Sequence, residues 1–486
     1  MSLKIPRLNK HTLIFFCAVF CLLLSISALL TTSHPSKPTI RSDGEGYYLY
    51  LPAIFIHHDL SMKWTQPLWG QSLQLVDQPN LHNEWNGLFA YKARVYLDKY
   101  PIGLAMLWLP FFLAAHALTL LTGHPATGFT NWYQAAVGFA AAFYASLGCA
   151  LMYLLLRRYF SVKVSYFTVL TLLLGTNMLN YATYDSSFTH VYSLFLIAAT
   201  LYLTPKWYSN MMYRTSALLA VLLAVNVLVR QTNVLVLIVV LLWNVTNLAG
   251  FRQRVVLLWQ QRLKLALMTG VALVVATPQL LYWKYITGKW LVFSYKGESF
   301  NFLHPQIFNV LFSADRGVFF WAPVLLFSLA GLALLRRHLK EWSTPIYVFL
   351  PVWLWVITSW HSWQYGESYG HRIFIDIFPL LALAIAVLYS RAESPAVKKA
   401  LVIIVCLCIT ANLFMSYQYW INGLAPSETT IQSYLKVWRL GLSALLHNGL
   451  TFGFLGLIGL ISVILGPLTH YFLVAREHHK GTATTN

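Results

Sequence analysis

Apolar runs of membrane-spanning length recur along the chain from Leu13 to Val474, separated by short polar connections. A helix needs about 20 apolar residues to cross the hydrocarbon layer of a bilayer. Twelve stretches meet or nearly meet that length: 12–30, 131–156, 164–182, 188–204, 215–230, 233–248, 265–285, 317–335, 344–360, 372–390, 400–421 and 449–474. One further run, 101–121, is apolar enough to span but carries Pro110 and is followed by a polar Gly- and Pro-containing turn. The pattern predicts an all-α polytopic membrane protein with about 12 transmembrane helices, the range of 11–13 depending mainly on how 101–121 is treated. No polar segment is long enough to form a separate soluble unit, so residues 1–486 read as a single membrane domain.

Composition agrees with the pattern. The chain is 58% hydrophobic and only 10% charged, against about 25% charged residues in a typical soluble domain. A formal net charge of +19 would suggest a nucleic-acid partner in a soluble protein, but here the cations alternate with the apolar runs. Positively charged residues gather in short cytoplasmic loops. That rule puts both termini inside, with Arg157, Arg158, Lys163, Lys206, Arg214, Arg252, Arg254, Arg262, Lys264, Arg336, Arg337, Lys340, Arg391, Lys398 and Lys399. The inner segments then hold 20 of the 34 Lys and Arg and 3 of the 15 acids, whereas the outer ones hold 14 and 12. This division works only if 101–121 does not cross, so it is expected to be a helix lying in, or dipping into, the outer leaflet.

The basic start (Lys4, Arg7, Lys10) and the apolar run behind it are long for a cleaved signal peptide, so 12–30 is expected to be an uncleaved first helix. The outer side receives a long first loop, 31–130, and shorter loops at 286–316, 361–371 and 422–448; a cytoplasmic tail covers 475–486. The five cysteines lie inside apolar stretches without ligand spacing, which argues against disulfides and a structural zinc. There is no P-loop and no GxGxxG turn.

Candidate chemistry lies on the outer side. Ser42-Asp43-Gly44-Glu45-Gly46-Tyr47-Tyr48 places two carboxylates just beyond the first helix, at the lipid–water boundary where the phosphate of a lipid carrier would also lie. A carboxylate there can take a proton from an attacking hydroxyl; the plainer alternative is a solvated turn. The second constellation runs from Trp360 through His361, Trp363, Glu367 and His371 to Arg372. Arg372 and Asp376 are four residues apart at the start of a spanning helix and are expected to pair on one face. Ionisable groups at that depth are costly unless paired or functional, and an arginine there suits a lipid-linked phosphate. The alternative is an arginine snorkelling to headgroups. Arg316 begins another helix, and Arg230 sits in a polar hinge, Arg230-Gln231-Thr232-Asn233, tolerable at membrane depth only against protein or a water-filled cavity. Asp185 and His190 occupy a short outward turn and are candidates to line the same cavity. Metal binding by His57-His58-Asp59 is disfavoured, because adjacent side chains point different ways.

In order along the chain, SDGEGYY, Lys99-Tyr100-Pro101, LLLRRYFS, GTNMLNYATYDSSFTHVYS and GESYGHRIFIDIFPLLAL resemble the GT-C glycosyltransferase superfamily. The resemblance is to the branch of protein O-mannosyltransferases, lipid A aminoarabinose transferases and lipopolysaccharide core transferases, and covers about 40–420. It implies inverting transfer of a sugar from a polyprenyl-phosphate donor to a glycolipid, glycan or protein acceptor on the outer face of an inner (plasma) membrane. Asp43 would be the base; Arg372, Arg316, Arg230 and His371 would contact the donor phosphate; and Tyr47, Tyr48, Asp185, His190, His361, Trp363 and Glu367 would line the substrate cavity. The chain departs from the branch in having DGE where the mannosyl and aminoarabinose transferases carry adjacent acids, so Glu45 could share the base role or help hold a divalent metal. The resemblance names no other cofactor and no nucleic-acid partner. The competing class is a multi-pass transporter or lipid-linked-saccharide flippase. A polymerase or ligase of lipid-linked glycans would be expected to carry its largest outer loop late in the chain, whereas here it comes first.

Overall fold

The computed structural model describes residues 10–34, 37–68, 87–92, 95–295, 297–425, 427–447 and 450–474. Lys4, Arg7, part of the 31–130 loop and the 475–486 tail lie outside the described residues. Helix dominates, and helical segments fall within all twelve apolar stretches. Among the described residues, six helices are long and apolar enough to cross a membrane: Lys10–Ser33, Gly103–Leu121, Asn131–Leu156, Arg262–Thr287, Arg372–Arg391 and Pro395–Trp420. The chain is therefore a helical membrane protein. Other apolar stretches form shorter or interrupted helices, among them Val162–Gly175 followed by Met178–Thr183, and Tyr213–Val229 separated from Val236–Leu242 by a tight turn.

Burial sorts the helices by role. Arg372–Arg391 is almost wholly enclosed, and its stretch from Phe378 to Tyr389 is apolar on every side, as a helix surrounded by others should be. His190–Asn210 packs between Asn131–Leu156 and Tyr213–Val229. Arg262–Thr287, by contrast, turns Leu273, Val274 and Leu281 outward, a surface suited to lipid.

The first loop is more structured than expected. It begins with helix Asp43–Phe55 and contains an antiparallel hairpin, Leu88–Lys92 with Val95–Asp98, in register Leu88↔Asp98 and Phe89↔Leu97. It then enters helix Gly103–Leu121, which lies against Asn131–Leu156: the Tyr144 hydroxyl donates to the Leu107 carbonyl, and His116 meets the Tyr133 hydroxyl. Tyr282 and Gln279 of the Arg262–Thr287 helix accept from the backbone amides of Asp98 and Ile102, which fixes the exit of the hairpin.

Where Tyr213–Val229 ends, Gly103 presses on its backbone. A Cβ on Gly103 would lie 2.2 Å from the Leu228 carbonyl carbon, while one on Gly270 would meet nothing within 4 Å. Gly103→Ala should therefore lower stability by about 1–3 kcal/mol through overpacking. Gly270→Ala should be neutral or stabilising by up to about 1 kcal/mol, because alanine favours the helix. Thermal unfolding of both variants in detergent checks the pair.

Candidate functional site

The chain leaves Lys10–Ser33 and turns into Asp43–Phe55 at Ser42, whose φ of 53° is left-handed. Arg41 anchors the turn: its guanidinium donates to Asp185 Oδ1 at 2.7 Å and to the carbonyls of Pro38 and Tyr184. Glycine at 44 is required by proximity, because a Cβ there would sit 2.2 Å from Ser187 Oγ. These contacts place Asp43 at the first turn of the helix with its carboxylate facing a cavity.

The cavity has a volume of about 510 Å³. Its wall is built from Asp43 and Tyr47, Lys99 and Tyr100, the hinge residues Arg230–Thr232 with Val234 and Leu235, residues between Phe293 and Phe302, Val356, Trp360–Ser362 with Tyr365 and Gly366, and Arg372. The described residues of the 293–302 side, 293–295 and 297–302, are non-helical. It is tied to the end of helix Lys340–Thr358 through the Phe300–Trp360 bridge and the amide of His361 donating to the Ser299 carbonyl, and to Lys99 through Ser294 and Glu298.

Ion pairs organise the interior. Arg372 Nη2 donates to Asp43 Oδ2 at 2.7 Å, and the Tyr100 hydroxyl donates to Asp43 Oδ1 at 2.8 Å. The Arg372 guanidinium also lies over the Phe188 ring at 4.4 Å. Lys99 pairs with Glu298 at 2.8 Å. Arg230 pairs with Asp376 Oδ2 at 3.3 Å, while His190 Nδ1 lies 3.0 Å from Asp376 Oδ1. Burial alone would push the Asp43 carboxyl up, but Arg372, Lys99 and the Tyr100 hydroxyl outweigh it and hold the group below the usual carboxylate range.

The expected partnership of Arg372 with Asp376 is not the one formed. Residues Arg372–Ile377 make a 3-10 turn rather than α-helix. With about three residues per turn, a residue four positions on points roughly a third of a turn away, so Arg372 reaches Asp43 and Asp376 reaches Arg230 and His190.

Of the residues singled out in the sequence, Asp43, Tyr47, Arg230, His361 and Arg372 share the cavity wall. Glu45 does not. Two positions along a helix lie on different faces, and Glu45 is buried away from the cavity. Tyr48 is likewise turned into the core, its hydroxyl donating to the Gly128 carbonyl. Asp185 accepts from Arg41, Asn180 and Tyr419 and ties three segments together outside the cavity. His190 is enclosed beside Asp376. Arg316, Trp363, Glu367 and His371 are not on the wall either: Arg316 is buried beside Asp315, Glu367 is exposed, and the Trp363 carbonyl meets His371 Nε2. Among the described residues no three His, Cys, Asp or Glu side chains gather as a metal site would need.

The cavity also recruits residues not anticipated from sequence: Lys99, Tyr100, Tyr295, Glu298, Phe300 and Tyr365. The Lys99-Tyr100-Pro101 step was the available signal for the first two. The 293–302 segment offered none beyond its aromatic density. No family model and no curated protein matches the chain.

His371 supplies a test of this packing. Burial, with Arg316, Arg372 and Arg230 nearby, lowers its pKa from 6.5 to about 3 against the pull of the Trp363 carbonyl. A neutral buried histidine stabilises the fold fully above 6.5, and that stability is lost as the pH falls below it, because the unfolded chain takes up the proton first. The cost is up to about 1.4 kcal/mol per pH unit. Thermal unfolding from pH 7 to pH 5 should show a smaller fall in His371→Asn than in the wild type.

Proposed function

We propose that this cavity is the active site of a membrane glycosyltransferase. It would move a sugar from a polyprenyl-phosphate donor to a hydroxyl of a glycolipid, glycan or protein acceptor on the extracytoplasmic face of an inner (plasma) membrane, with both termini cytoplasmic. The observation that carries the reading is the meeting of Asp43 and Arg372, a carboxylate and a guanidinium, inside one aromatic-walled cavity. The resemblance of SDGEGYY and GESYGHRIFIDIFPLLAL to the GT-C motifs supports it, since these motifs supply the two partners.

The step follows from the groups present. The acceptor oxygen attacks the anomeric carbon while its proton passes to Asp43; the bond from that carbon to the phosphate oxygen breaks, and the electron pair leaves with the phosphate. One displacement inverts the centre. Arg372, with Arg230 and Lys99 on the same wall, opposes the charge that grows on the departing phosphate. Tyr47, Tyr295, Trp360 and Tyr365 offer flat faces to a sugar ring. Phe293 and Phe302, exposed at the rim, suit the first isoprene units of a chain running into lipid.

One observation favours a transporter or flippase. The hinge after Val229 carries a buried Asp376–His190–Arg230 cluster, and broken helices with ionisable groups are where transporters bind their cargo. The cluster reaches the cavity through Arg230, however, and the cavity it reaches is the one that holds Asp43, which is why transfer is the preferred reading.

Asp43→Asn should reduce transfer by about 10²–10⁴-fold, the usual worth of a general base, without changing membrane insertion or thermal stability enough to account for it. Mass spectrometry of envelope glycolipids and glycans from a deletion strain complemented with wild type or variant measures this. Full glycosylation by the variant removes Asp43 from the mechanism, and an unchanged glycan profile on deletion favours transport.

A further inference from the structure

The two oxygens of Asp43 are held differently. Oδ1 accepts from Tyr100, whose position is fixed from several sides: its amide donates to Asp98 Oδ1, its carbonyl accepts from the Tyr50 hydroxyl, and its ring lies against Tyr47 with centroids 4.4 Å apart. Oδ2 accepts from Arg372 Nη2 alone among the described hydrogen bonds. The Asp43 side chain is 31% exposed and that of Arg372 8%. Arg372 Nε is buried and has no hydrogen-bond partner among the described residues, although a guanidinium carries five donors. A carboxylate engaged by a guanidinium is a weak base, and a guanidinium engaged by a carboxylate is not free for a phosphate. The groups that the proposed transfer needs are thus occupied with one another.

We infer that Tyr100 is the positioning residue of Asp43, and that Arg372 is an exchangeable partner held first by Asp43 and then by the donor phosphate, so that donor binding releases the base. The inference rests on the polyprenyl-phosphate reading of the cavity. The phosphate draws Arg372 off Oδ2 and satisfies its unpaired Nε. Oδ2 is then left as the basic oxygen, while Tyr100 keeps the carboxylate aimed through Oδ1. Deprotection of the base waits for the donor, which gives an ordered reaction with the donor binding before proton transfer.

Asp43 is on this account a competitor of the phosphate, and removing it should tighten phosphate binding even as it ends transfer. The probe is undecaprenyl phosphate, titrated in detergent micelles against the purified full-length chain, with undecaprenol as the neutral control. Asp43→Asn should bind the phosphate about tenfold more tightly than wild type, which corresponds to about 1.4 kcal/mol. Arg372→Gln should lose most of the binding. Tyr100→Phe, which leaves Asp43 more dependent on Arg372, should weaken it by about threefold, on the scale of a single hydrogen bond. Binding by wild type with equal or weaker affinity in Asp43→Asn overturns the exchange and leaves the donor reading standing. Failure of wild type and Asp43→Asn alike to prefer the phosphate over undecaprenol overturns the donor reading, and the exchange with it.

A second measurement serves where a variant misfolds. In wild type, the acid limb of kcat, which reports the donor complex, should lie at higher pH than that of kcat/KM, which reports the free enzyme, because the carboxylate has lost its cation in the complex. Coincident limbs overturn the exchange.

Discussion

A charge inside an apolar body is tolerable only when an opposite charge meets it, and that constraint arranges the interior of this protein. Arg41 is met by Asp185, Arg230 by Asp376 and Arg372 by Asp43. Each pair joins segments far apart in the chain, so each acts as a clasp between helices as well as a neutralisation. The clasps differ in access. Arg41–Asp185 is closed on every side and saturated with hydrogen bonds, as a structural tie should be, whereas Asp43 and Arg372 open onto a cavity.

The helical hinge at Arg230 shows how a polar break is made affordable within an apolar bundle. Asn233 donates to Ser193 Oγ and to the Asn226 carbonyl, and Asn226 donates to Thr200. Side chains thus take over hydrogen bonding where the helix stops. The break turns Arg230, Gln231 and Thr232 toward the cavity and leaves Asn233 on the protein side.

Much of the fold was legible because membrane-length apolar runs leave few alternatives to helix. The Arg230–Asn233 hinge was legible for the same reason, being polar where polarity is expensive. The hairpin at Leu88–Asp98 was not, because two strands of five and four residues give too short an alternation to stand out in a loop. Within the candidate site, Asp43 and Arg372 were recognisable as unusual residues near the ends of apolar runs. Their union across 329 positions could not be read from spacing, and spacing misdirected the reading of Asp376, since an interval of four implies a shared face only if the turn is α-helical. Glu45 misled by adjacency: nearness in sequence to Asp43 turned out to mean opposite sides of one helix.

The contact between Gly44 and Ser187 carries a consequence for how such a chain can vary. The carboxylate at 43 takes its height above the cavity floor from a turn, 185–188, that does not touch the cavity. Position 187 thus behaves as a shim: bulk added there would tilt a lever whose far end is the Asp43 carboxylate. Drift at this remote site is confined to small side chains by a tolerance set elsewhere.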